Sequence, residues 1–212
     1  MTMGYSAARV RVGAGIAYTG AAVYVFLLVL LHLVQPQMID EATISKYALG
    51  PGGWMLQAAF VAAGVGYGGL ALLLKRSAIP AWLTALAFAV MGVFRIDRVG
   101  PTQVVSIHGA LHTVSFFVVV VLTTVLMFVL RRRAQSPFLR ILPFLTPVLV
   151  VAGVFLPGLI GALIFRTWTL SLVLWVILAA REASQSNLHT PDVSHESIPI
   201  NDTAPADKGP TR

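Results

Sequence analysis

Residues 105–133 read VSIHGALHTVSFFVVVVLTTVLMFVLRRR. From Val114 to Leu130 the run carries no charge, and it stops at Arg131, Arg132 and Arg133. A helix rises 1.5 Å per residue, so about twenty residues cover the roughly 30 Å of hydrocarbon in a bilayer. An apolar segment of that length, closed by a cationic anchor, reads as a membrane-crossing helix. The solvent of this chain is lipid.

The rest of the sequence agrees. With 57% hydrophobic and 11% charged residues, the chain lies outside the composition of water-soluble domains. Its apolar blocks predict an all-α, polytopic membrane helix bundle of about six transmembrane helices, near 14–35, 54–74, 79–95, 105–130, 141–163 and 167–181. Pro80 suits the start of the short third block, and Arg95 can snorkel outward at its other end. Pro143, Pro147 and Pro157-Gly158 predict a kink or an early end in the fifth. The first block follows Arg9 and Arg11 as a signal peptide would. It runs long, however, and leads into Gln35-Pro36 instead of a small-residue cleavage pattern, so it reads as an uncleaved span.

A net charge of +7 would suggest phosphate binding in a soluble protein, but here the cations flank apolar blocks, which argues against nucleic acid. One side of the expected topology holds Arg9, Arg11, Lys75, Arg76, Arg131, Arg132, Arg133, Arg140 and Arg181. The other holds only Lys46, Arg95, Arg98 and Arg166. The richer side is expected in the cytoplasm, with both termini there. Residues 1–13 then form a short cytoplasmic N-terminus and 14–181 the membrane domain. Residues 182–212, rich in Ser, Pro, Asp, Asn and Thr, bury too little to offset their ordering entropy and read as a disordered cytoplasmic tail with solvated His189 and His195.

The chain has no cysteine, which excludes disulfides and thiolate ligands. Gly64-x-x-x-Gly68 lets helices approach closely, either within the chain or between copies in a homo-oligomer. No internal repeat supports a transporter built from duplicated halves.

The acids and histidines of the membrane domain are Asp40, Glu41, Asp97, His32, His108 and His112, with Glu182 at the root of the tail. The topology puts the first six in outer loops or the outer parts of spans. His108 and His112 are four apart, on one helix face, with Ser115 about a turn further along. By helix rise His112 lies about a third of the way into the bilayer, where an imidazole needs a partner or a water-filled cavity.

The stretch Ile44-Ser-Lys-Tyr-Ala-Leu-Gly-Pro-Gly-Gly-Trp54, then Phe94-x-x-Asp97, then His108-Gly-Ala-Leu-His112, resembles prokaryotic six-span membrane proteins catalogued as domain of unknown function 998. The resemblance covers roughly 14–181. It implies a multi-pass protein of a prokaryotic plasma membrane and brings no activity with it.

For the polar group, the favoured reading is structural: His108 and His112 bond to outer-loop backbone or to Asp97 and hold spans together. A transporter or proton-relay component is the first alternative. A metal-dependent hydrolase acting on a lipid or envelope substrate is the second. In it His32, His108 and His112 would ligate zinc, with Asp97 as a fourth ligand or general base, although the Glu of the metalloprotease helix motif is absent. Haem between His32 and His112 is a further option. Catalysis by Ser45, Ser106 or Ser115 lacks a nucleophile elbow.

Overall fold

The computed structural model describes residues 6–41, 43–74, 77–98 and 104–188. Among them every regular element is helical: α1 (Ala7–Val34), α2 (Trp54–Leu73), α3 (Ala78–Val93), α4 (Ile107–Arg131), α5 (Pro137–Phe155) and α6 (Gly158–Leu188). Short 3₁₀ turns, Pro36–Met38 and Ile44–Leu49, lie between α1 and α2. Each helix packs on its chain neighbours and α6 returns to α1, closing a ring that α2 and α6 also bridge across the middle. All the helices but α3 are long and apolar enough to cross a membrane. α3 has 16 residues, about 24 Å at helical rise.

The outside of the ring is as apolar as the inside. Phe26, Leu86, Phe117, Val148 and Ile160 are exposed, while Tyr24, Phe60, Tyr67, Trp168 and Trp175 fill the centre. Water would penalise such a surface, whereas lipid does not, and attraction between helices then depends on close packing. α1 and α2 achieve it backbone to backbone. A Cβ on Gly20 would stand 2.5 Å from the Gly66 nitrogen, and one on Gly69 would stand 2.4 Å from the Ala17 nitrogen. Gly64 and Gly68 instead face α3 of the same chain, meeting the Ala85 carbonyl and the Trp82 ring.

Several boundaries differ from the sequence expectation. α5 passes through Pro143 and Pro147 without ending, then stops at Phe155, so the fifth helix is 137–155 and not 141–163. Pro157 keeps Leu156 extended, and Gly158 takes a left-handed φ of 59°, which starts a new helix at once. The sixth helix therefore begins at 158 instead of 167 and takes Arg166 with it. It also continues past Arg181, so the expected tail is helical as far as Leu188, and residues 189–212 lie outside the described residues. Tertiary bonds hold that extension: Glu182 accepts from the Gln135 and Ser136 amides at 2.9 and 2.8 Å, and Asn187 donates to the Leu73 carbonyl at 3.0 Å. At the other terminus the expected segment 1–13 is already helical from Ala7, where Ser6 accepts from the Arg9 amide.

Candidate functional site

The loop from Gln35 to Gly53 does not lie over the bundle but folds into its end. Gly50 and Pro51 break the chain after the 3₁₀ turn, and Ile44, Ser45, Tyr47 and Ala48 are buried among the helices. Gln35, fully buried, pins the loop by donating its amide to the Tyr47 and Pro51 carbonyls. The loop caps the ring.

His112 on α4 is buried beneath this cap. Its Nδ1 is 2.8 Å from the Phe94 carbonyl and its Nε2 is 3.0 Å from the Ser45 hydroxyl, with the Phe60 ring edge-on. A carbonyl only accepts, so Nδ1 carries the proton and the Nε2 lone pair accepts from Ser45. The imidazole thereby ties α4 to the end of α3 and to the cap. His108, one turn earlier, is exposed and packs against Phe94 with ring centroids 5.3 Å apart.

His32 near the end of α1 repeats the pattern. Its Nδ1 donates to the Leu28 carbonyl at 2.7 Å, and its Nε2 accepts from Arg166 Nε at 2.9 Å. The same guanidinium donates to the carbonyls of Glu41 and Met38, both at 3.3 Å, and to the Tyr47 hydroxyl at 3.2 Å, with the Tyr47 ring 5.8 Å from its centre. Arg166 is thus the hub joining α6, α1 and the cap, held by dipoles; the Glu41 carboxylate pairs with Lys46 instead.

Asp97 is a capping residue. Its carboxylate accepts from the Ser106 hydroxyl at 2.6 Å and the Ser106 amide at 2.7 Å, while Ser106 in turn accepts from the Gly109 amide and starts α4. The Ser106 hydroxyl, then its amide, hold the Asp97 carboxyl below its ordinary range, with His108 adding a smaller pull. Nearby, Arg95 donates to Gln57 at 3.0 Å and links this loop to α2.

The four residues singled out from sequence are therefore not brought to one point. His112 meets Ser45, His32 meets Arg166, Asp97 meets Ser106, and His108 faces outward. Among the described residues no three His, Cys, Asp or Glu side chains converge as a metal cage. Sequence reasoning missed Arg166, Gln35 and Tyr47 as site residues, and it weighed Ser45 only as a nucleophile and not as the partner of His112. Arg166 had a usable signal, an arginine inside an apolar run, but the misplaced helix start put it in a loop.

A second polar group lies deeper. The Tyr67 hydroxyl, the Thr123 hydroxyl and the Trp168 indole N–H are buried with no hydrogen-bond partner among the described residues. Tyr67 and Thr123 are neighbours without good hydrogen-bond geometry, and Tyr24 is close to Tyr67. Two small cavities, of about 30 and 20 Å³, adjoin this group and share Tyr24, Phe88, Thr169 and Leu172 in their walls. The smaller reaches Ser45, and so adjoins the partner of His112.

An all-helical ring with a lipid-like exterior and an inserted polar cap defines a polytopic membrane protein. The chain belongs to the family described as protein of unknown function (DUF998), whose family model matches residues 18–182, nearly all of the membrane domain. No curated protein and no solved structure matches the chain.

Proposed function

We propose that the chain is a six-span protein of a prokaryotic plasma membrane, with both termini cytoplasmic, whose histidine, aspartate and arginine cluster is a structural latch that seals the outer end. Crossing by α3 is supported by its surroundings: Ser77, just before it, borders a recess at the end of the ring opposite the cap, and Phe94, just after it, meets His112 beneath the cap. The orientation rests on the excess of Lys and Arg at the uncapped end. Reporter fusions after Arg133 are expected to report cytoplasm and those in the 36–53 loop the exterior; the reverse result ends this topology.

The observation that carries the latch reading is the engagement of both ring nitrogens of both His32 and His112 by groups of the protein itself. A metal or haem would have to displace those bonds. His112→Ala leaves the Phe94 carbonyl and the Ser45 hydroxyl without their partner around a new void, and is expected to cost about 2–4 kcal/mol. Thermal unfolding of purified protein measures the loss, and Ser45→Ala should cost less because His112 keeps its Phe94 bond. Stoichiometric zinc or haem in the wild type, lost with His112→Ala, would replace the latch by the hydrolase or haem reading.

The buried group around Tyr67 favours proton relay as a second reading. Voids of 20–30 Å³ each admit a water, and waters there would join Ser45 to Tyr24, Trp168 and Tyr67. Trp175, buried and stacked near Tyr67, stands between that group and the far end of the ring. Proton flux in liposomes that falls at least tenfold in Tyr67→Phe would establish the relay. Equal and negligible flux in wild type and variant would remove it.

A further inference from the structure

At the end of the ring opposite the cap, a recess of about 140 Å³ opens between the ends of α2, α4 and α6 and the start of α5. Its floor is apolar, formed by Leu73, Leu139, Trp175 and Ala179, and its rim carries Arg131 and Arg133. A cavity of about 150 Å³ holds a benzene-sized apolar group, so this one takes several methylenes. The recess is amphipathic.

The arginines are available to an anion. Glu182 also borders the recess, but its two oxygens accept from the Gln135 and Ser136 amides. The Arg133 guanidinium has no hydrogen-bond or ion-pair partner among the described residues; only its backbone N–H is engaged, by the Leu130 carbonyl at 3.0 Å. Arg131 is steadied by the Arg140 carbonyl at 3.1 Å and by the Phe144 ring, 4.6 Å from its centre, neither of which carries negative charge. Position selects the ligand further. Arg131 ends α4 directly after the uncharged run Val114 to Leu130, which places the rim where hydrocarbon gives way to lipid phosphates.

We propose that this recess binds an anionic phospholipid, its phosphate held by Arg131 and Arg133 and the first part of an acyl chain lying on the floor around Trp175. Basic recesses between spans are suited to this ligand because counter-charge and apolar contact are offered together. The site is at the opposite end from the latch and does not depend on it.

The test uses the full chain, with native mass spectrometry and thermal unfolding in phosphatidylglycerol against phosphatidylcholine. Wild type is expected to prefer phosphatidylglycerol by at least about tenfold. Arg131→Ala with Arg133→Ala should reduce that preference about tenfold, while Arg132→Ala, outside the recess, leaves it unchanged. Ala183→Leu fills the recess without altering charge and should weaken both lipids' retention, which decides the matter if the double variant fails to fold. Equal affinity for the two lipids overturns the proposal, as does an Ala183→Leu variant that binds like wild type. A loss in Arg132→Ala equal to that of the pair assigns the effect to a diffuse surface field and overturns it too. Glycerol phosphate competing at the same concentration as the lipid would assign the recess to a soluble anion, against the lipid.

Discussion

Arg166→Leu is expected to lower stability by about 2–4 kcal/mol and to open the 36–49 loop to protease. Hydrogen bonds to a charged group contribute roughly 1.5–3 kcal/mol each when buried, and the guanidinium makes four, to His32, Glu41, Met38 and Tyr47. The sum is not realised in full. Arg166 is only half-buried, so water takes over part of what the variant abandons. What remains is the loss of a hub: without it the Met38 and Glu41 carbonyls have no reason to turn toward α6, and the His32 nitrogen loses its donor. Arg166→Lys should recover less than half, because one ammonium cannot serve the separated positions that Nε, Nη1 and Nη2 reach together. Unfolding in detergent and limited proteolysis measure both effects. An Arg166→Leu protein with wild-type stability and an uncleaved loop would remove the hub from the account of this fold.

The second large effect belongs to Gly20. Its missing Cβ would stand 2.5 Å from the Gly66 nitrogen and 2.6 Å from the Ala62 carbonyl oxygen, both backbone atoms that cannot rotate away. Any side chain there must push α1 and α2 apart along the closest helix contact in the ring. Overpacking of this kind costs roughly 1–3 kcal/mol where side chains can yield, so Gly20→Ala is expected at or above the top of that range. Gly20→Leu should prevent accumulation of folded protein. Gly15, on the same helix, has nothing within 4 Å of its missing Cβ and is exposed. Gly15→Ala is therefore expected to be neutral or to add a few tenths of a kcal/mol through helix propensity. The two substitutions are chemically identical, so their difference in melting temperature isolates the helix contact from the propensity. Equal behaviour would mean that α1 and α2 do not meet at Gly20.

Much of the architecture was legible in the residues because crossing lipid imposes a length and a polarity on each helix. The error in the last two helices came from Pro157-Gly158. Pro143 and Pro147 lie inside α5 while Pro157 ends it, since only Pro157 is followed by a glycine in the left-handed region. That misreading hid Arg166, which the shifted boundary placed between helices. The i, i+4 spacing of His108 and His112 correctly put both on one face of α4. It could not show that the cap buries one and leaves the other exposed, because the cap reaches α4 from residues 67 positions earlier.

By itself the amino-acid order determined a lipid-embedded helical chain, the limits of its second, third and fourth helices to within about two residues, and the end at which histidines and most of the acids gather, since each follows from local runs of apolar and charged residues. Only the tertiary structure decided which groups those side chains touch. It set the three imidazoles apart, fastening His112 to Ser45 and His32 to Arg166 and leaving His108 exposed, and it revealed Glu182 and Asn187 as the residues whose bonds extend α6. The reason is physical: a side chain's partner depends on how the ring closes and where a loop is pressed inward, and those are outcomes of packing summed over all the helices.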